Sequence, residues 1–211
     1  MREPTLIHTA SRSSGDLAEA VIAALTAALG AFDGYTAEHS GETLVLAEQV
    51  AERLGVDEVQ AETVTLTAAL HDLGKIGVPP QLLRKPGPLT PDERVLMERH
   101  PVIGERILRE VAALAPVASA VRHEHERWDG CGYPDGLAGD SIPLASRIVL
   151  VCDAWHAMTS DRPYRRAMSH ADATGEMLRC SGSQFDPSVA TALLEVLDAE
   201  LEFDTRVAPA A

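Results

Sequence analysis

The adjacent pair His71-Asp72 is the first place in this sequence where residue types call for chemistry. It follows the strongly apolar run Leu66-Thr67-Ala68-Ala69-Leu70. Two ionisable groups at the end of a buried helix cost desolvation free energy unless something compensates them. A divalent cation does so, because imidazole and carboxylate are both good ligands for first-row metals. A histidine favoured by the helix dipole beside an exposed aspartate would account for His71. It leaves the following Gly74 and Lys75 unexplained. Lys75 and Lys85 are the only lysines among 18 Lys plus Arg. In so arginine-biased a chain, a compact point charge at Lys75 suits a phosphate contact. Lys85 sits in a loop, where chance is a fair explanation.

Two further clusters carry candidate groups. His123-Glu124-His125-Glu126-Arg127-Trp128-Asp129-Gly130-Cys131-Gly132-Tyr133-Pro134 reads, as composition alone, as a charged helix end followed by a turn. Asp153 interrupts an apolar run, and a buried aspartate there needs a metal or an arginine partner. The segment Ser160-Asp161-Arg162-Pro163-Tyr164-Arg165-Arg166 is either a solvated face or an anion site. Its place just past the helix carrying Asp153 favours the anion site. His39, His71, His100, His123 and His125 each lie in or beside a predicted helix. Taken singly, such a histidine is more often a packed or surface residue than a ligand.

The elements that must position these groups read as helices. Leu17, Val21, Ile22, Leu25 and Leu29 follow helical spacing from Ser14, with Gly30 and Gly34 as interruptions. A second helix is expected from about Thr36 to Leu54, and a third from about Asp57 to Leu73, stopped by Gly74. Residues 74–90, rich in Pro and Gly, read as loop. Thr90, Pro91 and Glu93 supply a capping box for the next helix, which Pro101 should end or bend at His100. Another follows to about Val111, and one more from about Ala115 to Glu126. Residues 128–143 form a second Gly- and Pro-rich loop. Residues 144–159 suit either strand or helix, and length with periodicity favours helix. Ser169 and Asp186-Pro187 open the last two helices. The fold class is therefore all-α. One domain spans 14–203, between a loose tail at 1–13 and a C-terminal tail at 204–211.

The bulk numbers exclude several classes. A chain of 211 residues with net charge −14 is a poor ligand for duplex nucleic acid, which demands a basic face. A small anionic substrate remains open if local cations reverse the field inside a cleft. Cys131, Cys152 and Cys180 form no CxxC pair, which points to a reducing compartment. No signal peptide or membrane span is expected, and the inferred location is cytoplasmic. The helix from Ser14 to Leu29 reads as a packing helix, with a homodimer contact as its other use.

In order along the chain, the segments resemble the HD-GYP branch of the HD metal-dependent phosphohydrolases. They are Tyr-Thr-Ala-Glu-His-Ser at 35–40, His-Asp-Leu-Gly-Lys-Ile-Gly at 71–77, and Lys-Pro-Gly-Pro-Leu-Thr at 85–90. His-Pro-Val-Ile-Gly at 100–104, His-Glu-Arg-Trp-Asp-Gly-Cys-Gly-Tyr-Pro at 125–134, and Ser-Asp-Arg-Pro-Tyr-Arg at 160–165 complete them. An isolated HD pair is a weak signal; the ordered series is a strong one. The resemblance implies a helical HD-domain bundle with a GYP loop. It also implies hydrolysis of cyclic di-GMP to a linear dinucleotide or GMP by a metal-activated water. The alternatives are an HD phosphohydrolase acting on another nucleotide or phosphoester, and a nucleotide-binding module without turnover. The implied metal ligands are His39, His71, Asp72, His100, His125 and Asp153, with Asp72 bridging. Lys75 would contact the scissile phosphate, Tyr133 would shape the substrate loop, and Arg162 and Arg165 would hold phosphate or guanine.

Two departures from the family pattern bear on the metals. Glu124 stands where the family has the first of two adjacent histidines, and as a carboxylate it would make that position harder and more manganese-like. Tyr35 stands four residues before His39, where trinuclear members carry a glutamate. Two divalent ions are therefore expected rather than three. Iron or manganese comes first, with magnesium, nickel or zinc as further options.

Overall fold

Local capping chemistry starts the helices where the sequence leads one to expect. The computed structural model describes residues 14–32, 34–161 and 166–207, and among them every regular element is helical. The first three helices are α1 (Ser14–Phe32), α2 (Gly34–Leu54) and α3 (Glu58–Leu70). Asp57 caps α3 through a capping box with Gln60. A 3₁₀ turn at His71–Gly77 leads into a single-turn α4 (Pro80–Leu83). Next come α5 (Pro91–Met97), capped by Thr90 and Glu93, then α6 (His100–Leu108) and α7 (Ala115–Arg122). After the long loop, α8 (Leu144–Thr159), α9 (His170–Cys180) and α10 (Pro187–Val207) complete the chain. Ser169 caps α9.

The differences from expectation lie at helix ends and within the 74–90 segment. The first helix continues through Gly30 to Phe32. The third stops at Leu70 rather than Leu73, so His71-Asp72 opens the 3₁₀ turn instead of closing an α-helix. The expected loop after Gly74 contains the rest of that turn and α4. The helix begun at Ala115 ends at Arg122 rather than Glu126. Pro101 does produce the expected break, since α5 ends at Met97 and α6 restarts at His100.

Packing divides into two cores. Ala47, Val50 and Ala51 of α2, Val64 and Ala68 of α3, and Ile148, Val151 and Cys152 of α8 are buried together, with α9 and α10 behind them. The small residues let α2, α3 and α8 approach closely. A second core joins Leu70, Leu73, Leu108, Leu114, Val117 and Val121, with Ile22 and Leu25 of α1 packed against it. Burying each such leucine stabilises the fold by about 1.5–3 kcal/mol. Leu70 and Leu73 flank His71-Asp72, so the second core fixes where that pair points. α1 packs within the chain against α2 and the 3₁₀ turn.

Gly74 sets the spacing between the 3₁₀ turn and α6. A Cβ there would lie 1.8 Å from the His100 carbonyl oxygen and 2.6 Å from the Gly104 nitrogen. Those obstacles are backbone atoms and cannot swing aside. A Gly74→Ala variant should therefore lose at least about 3 kcal/mol of stability, at the upper end of over-packing costs. Urea unfolding checks this; a loss within about 0.5 kcal/mol would contradict the close approach.

Candidate metal centre

Two pairs of neighbouring residues define the site, and each lies where an α-helix has just stopped. In a continuing α-helix, adjacent side chains do not face the same way. The 3₁₀ turn after α3 and the turns after α7 relax that rule. They let His71 with Asp72, and Glu124 with His125, face one centre. His100 reaches it from the first residue of α6.

The histidine geometry fixes proton positions. His71 Nδ1 donates to the Ala68 carbonyl at 2.8 Å, and His100 Nδ1 donates to the Met97 carbonyl at 2.8 Å. A carbonyl only accepts, so Nδ1 carries a proton in each ring, and the neutral form of such a ring has its lone pair on Nε2. His100 Nε2 lies 3.2 Å from His125 Nε2, 3.2 Å from Glu124 Oε1 and 3.9 Å from Asp72 Oδ1. His71 Nε2 lies 3.6 Å from Asp72 Oδ2, and His125 Nε2 lies 4.0 Å from Glu124 Oε1. His71 and His100 thus turn Nε2 lone pairs toward carboxylate oxygens.

Burial disfavours the charged forms of His100 and His125. It lowers His100, partly opposed by Asp72. Burial and then His100 push His125 down to about 3. For Asp72, burial opposes the charge, but Lys75, His71 and His100 outweigh it and hold the carboxyl well below the usual range. Lys75 Nζ donates to Asp72 Oδ2 at 2.6 Å. Burial opposes the Lys75 charge, and Asp72 more than restores it.

Glu124 stands apart from these compensated groups. The residue is 1% exposed, and neither carboxylate oxygen has a hydrogen-bond partner. Burial pushes its carboxyl well above the usual range. A buried, unpaired acid is costly. Donor atoms of His100, Glu124 and His125 all lie within 4.8 Å of one another. Two imidazoles and a carboxylate suit a first-row divalent ion. The backbone carbonyls that fix the outer nitrogens of His71 and His100 are the usual support for metal-bound histidines. The residues present therefore fit a metal.

Other sequence candidates fall around this cluster. Asp153 is half-buried on α8, and its charge acts on Lys75, His100, Glu124 and His125. The Tyr133 ring stacks on His125 with centroids 5.0 Å apart and planes 28° apart. His39 is carried by α2, but its side chain lies outside the described part of the structure, as do residues Arg162 and Arg165. His123 turns away, with Nδ1 on the Ser119 carbonyl and Nε2 on Asp135. Lys85 pairs with Glu93, the residue that completes the α5 capping box, which gives it a structural role.

The fold and this cluster define an HD domain. The HD domain family model matches residues 15–189, and the chain belongs to that family, with the motif series of its HD-GYP branch. Among known proteins it is similar to the cyclic di-GMP phosphodiesterase response regulator RpfG of Xanthomonas campestris. The two are 43% identical over 77% of this chain and 43% of the relative. It is also 33% identical to a 3'3'-cGAMP-specific phosphodiesterase of Vibrio cholerae, over 77% of this chain and 32% of the relative. This chain thus spans under half the length of these relatives. The solved cyclic GMP-AMP-specific phosphodiesterase of V. cholerae shares the fold. Its TM-score is 0.65 at 21% identity, over 84% of this chain and 48% of that one.

The orphaned acid makes a pH-dependent prediction for metal-free protein. An unfolded glutamate titrates near pH 4.3, and burial raises Glu124 above that value. The neutral form favours the fold, so this contribution is complete below about pH 4.3 and is lost as pH rises through the folded value. Under chelation, Glu124→Gln should stabilise the protein by about 1–3 kcal/mol at pH 8 and by less at pH 5. Urea unfolding at both pH values checks it; an equal offset at each would contradict the assignment.

Proposed function

We propose that residues 14–203 form the catalytic domain of a metal-dependent phosphodiesterase that hydrolyses cyclic di-GMP to linear pGpG, to GMP, or to both. The observation that carries the proposal is Glu124, a buried carboxylate without a hydrogen-bond donor among the described residues, beside the Nε2 atoms of His100 and His125. The names of the similar curated proteins supply the substrate class.

In this reading His39, His71, Asp72, His100, Glu124, His125 and Asp153 hold two divalent ions. The carboxylate of Glu124 favours iron(II) or manganese over softer choices. Bound divalent ions polarise a phosphoryl oxygen and lower the pKa of water to make it nucleophilic. The chain's own groups do the rest. Lys75 keeps Asp72 ionised and offers its half-buried ammonium to a phosphate oxygen. Tyr133 forms a flat wall beside His125 against which a nucleotide can lie. Arg162 and Arg165 are assigned to phosphate or guanine recognition, where a planar fork gives bidentate contacts. An acidic chain can accept this anion because the ions would be the largest local charges.

The second reading is hydrolysis of a different cyclic dinucleotide or phosphoester. It is favoured by similarity to a protein named for cyclic GMP-AMP. A cytoplasmic location is proposed from the free thiols of Cys131, Cys152 and Cys180. No helix among the described residues is long and apolar enough to cross a membrane.

The decisive assay supplies manganese or iron(II) anaerobically. It offers cyclic di-GMP, cyclic GMP-AMP and methyl p-nitrophenyl phosphate as separate substrates. Cyclic di-GMP should give the highest kcat/KM, and His71→Ala should lower it at least about a hundredfold. Preference for cyclic GMP-AMP would move the assignment to the second reading. Turnover of the small ester alone, or nucleotide binding without turnover, would overturn it.

A further inference from the structure

We infer that Arg122 and Asp135 form a clamp that positions Tyr133 over His125 and so tunes recognition of the nucleotide part of the substrate. The inference rests on the phosphodiesterase reading above. Arg122 is the last residue of α7, and its Nε and Nη2 donate to the two carboxylate oxygens of Asp135 at 2.6 and 2.8 Å. This is the bidentate pairing that combines strength with fixed orientation. The remaining arm, Nη1, donates to Glu105 at 2.7 Å. Glu105 is a buried residue of α6, the helix that also carries His100. One guanidinium therefore ties the loop to two of the elements that shape the metal centre.

Asp135 is pinned a second time through its backbone. Its N–H donates at 2.7 Å to Glu126 Oε1, and Glu126 is only 1% exposed. Two residues earlier, the Tyr133 N–H donates to the His125 carbonyl at 3.2 Å, and its ring lies on the His125 ring. Gly132 makes this path possible. A Cβ there would lie 2.4 Å from the Arg127 nitrogen and 2.5 Å from Glu126 Cα. The loop crosses the ligand-bearing strand of chain at backbone contact, so an error at Asp135 is passed directly to Tyr133.

The other limb of the loop has its own anchors. Trp128 and Asp129 donate backbone N–H groups to Gln184 and Ser183, and the Arg147 guanidinium lies over the Trp128 ring. Loss of the Asp135 carboxylate should therefore release Tyr133 without unfolding the loop. The clamp residues touch neither metal donor atoms nor the reacting phosphate in this arrangement. They are positioning residues.

The test compares wild type with Asp135→Ala, Arg122→Lys and Asp135→Asn, each loaded with manganese. In Asp135→Ala, KM for cyclic di-GMP should rise about tenfold, the scale of one lost charge-assisted pair, with kcat within about threefold. Arg122→Lys, which removes the fork but keeps the charge, should behave alike. Asp135→Asn retains one acceptor for Arg122 and should recover part of the KM. Metal content and turnover of methyl p-nitrophenyl phosphate should be unchanged. Hydrogen exchange at the Tyr133 and Asp135 amides should quicken at least about tenfold in Asp135→Ala, while residues 71–77 keep wild-type rates. An unchanged KM, unchanged exchange, or metal content and small-ester turnover falling together would overturn the clamp. If wild type hydrolyses the small ester but no cyclic dinucleotide, the proposed function fails. Exchange alone then decides the clamp.

Discussion

A carboxylate that finds no hydrogen-bond donor is the constraint around which this domain is arranged. Glu124 is buried, both of its oxygens lack a hydrogen-bond partner among the described residues, and the nearest nitrogen, His100 Nε2, presents a lone pair rather than a proton. No donor among the described residues relieves that arrangement. Protonation of Glu124 would relieve it in part, and a divalent cation would relieve it more fully. The backbone bonds that hold the outer nitrogens of His71 and His100 make sense in the same terms, because they fix the tautomer a cation needs.

Helix termination is what brings these groups together. Neighbours on an α-helix diverge, so a site needing two adjacent pairs must place each pair just past a helix end. The chain does this after Leu70 and after Arg122. Gly74 then presses the first pair's turn against the start of α6, and Gly132 lets the loop bearing Tyr133 cross the backbone of the second pair. Two hydrophobic cores hold the helices rigid on either side, so the polar centre needs few contacts of its own.

Much of this was legible in the sequence, because the signals are local. Asp57, Thr90 and Ser169 announce helix starts through side-chain capping within three residues, and the structure uses each. Length and periodicity point to the helix at 144–159, which the structure has, although Ile148-Val149-Leu150-Val151 reads like a strand. Helix ends were less legible. Nothing near Leu73 or Glu126 says that the helix must stop early; backbone packing against α6 and against the 128–143 loop sets those stops. Glu124 is visible as a departure from the family pattern, but its lack of a hydrogen-bond donor among the described residues is not. The Arg122–Asp135 pair is not legible in the sequence, because a pair 13 residues apart depends on the path of the loop between them.

His100, Glu124 and His125 are proposed to complete a metal centre. The most direct test is anaerobic titration of manganese into chelator-treated protein by calorimetry. About two ions per chain should bind saturably to wild type. Glu124→Ala should weaken one of them at least about tenfold. An absence of saturable binding in wild type, or an isotherm that Glu124→Ala leaves unchanged, would contradict the account.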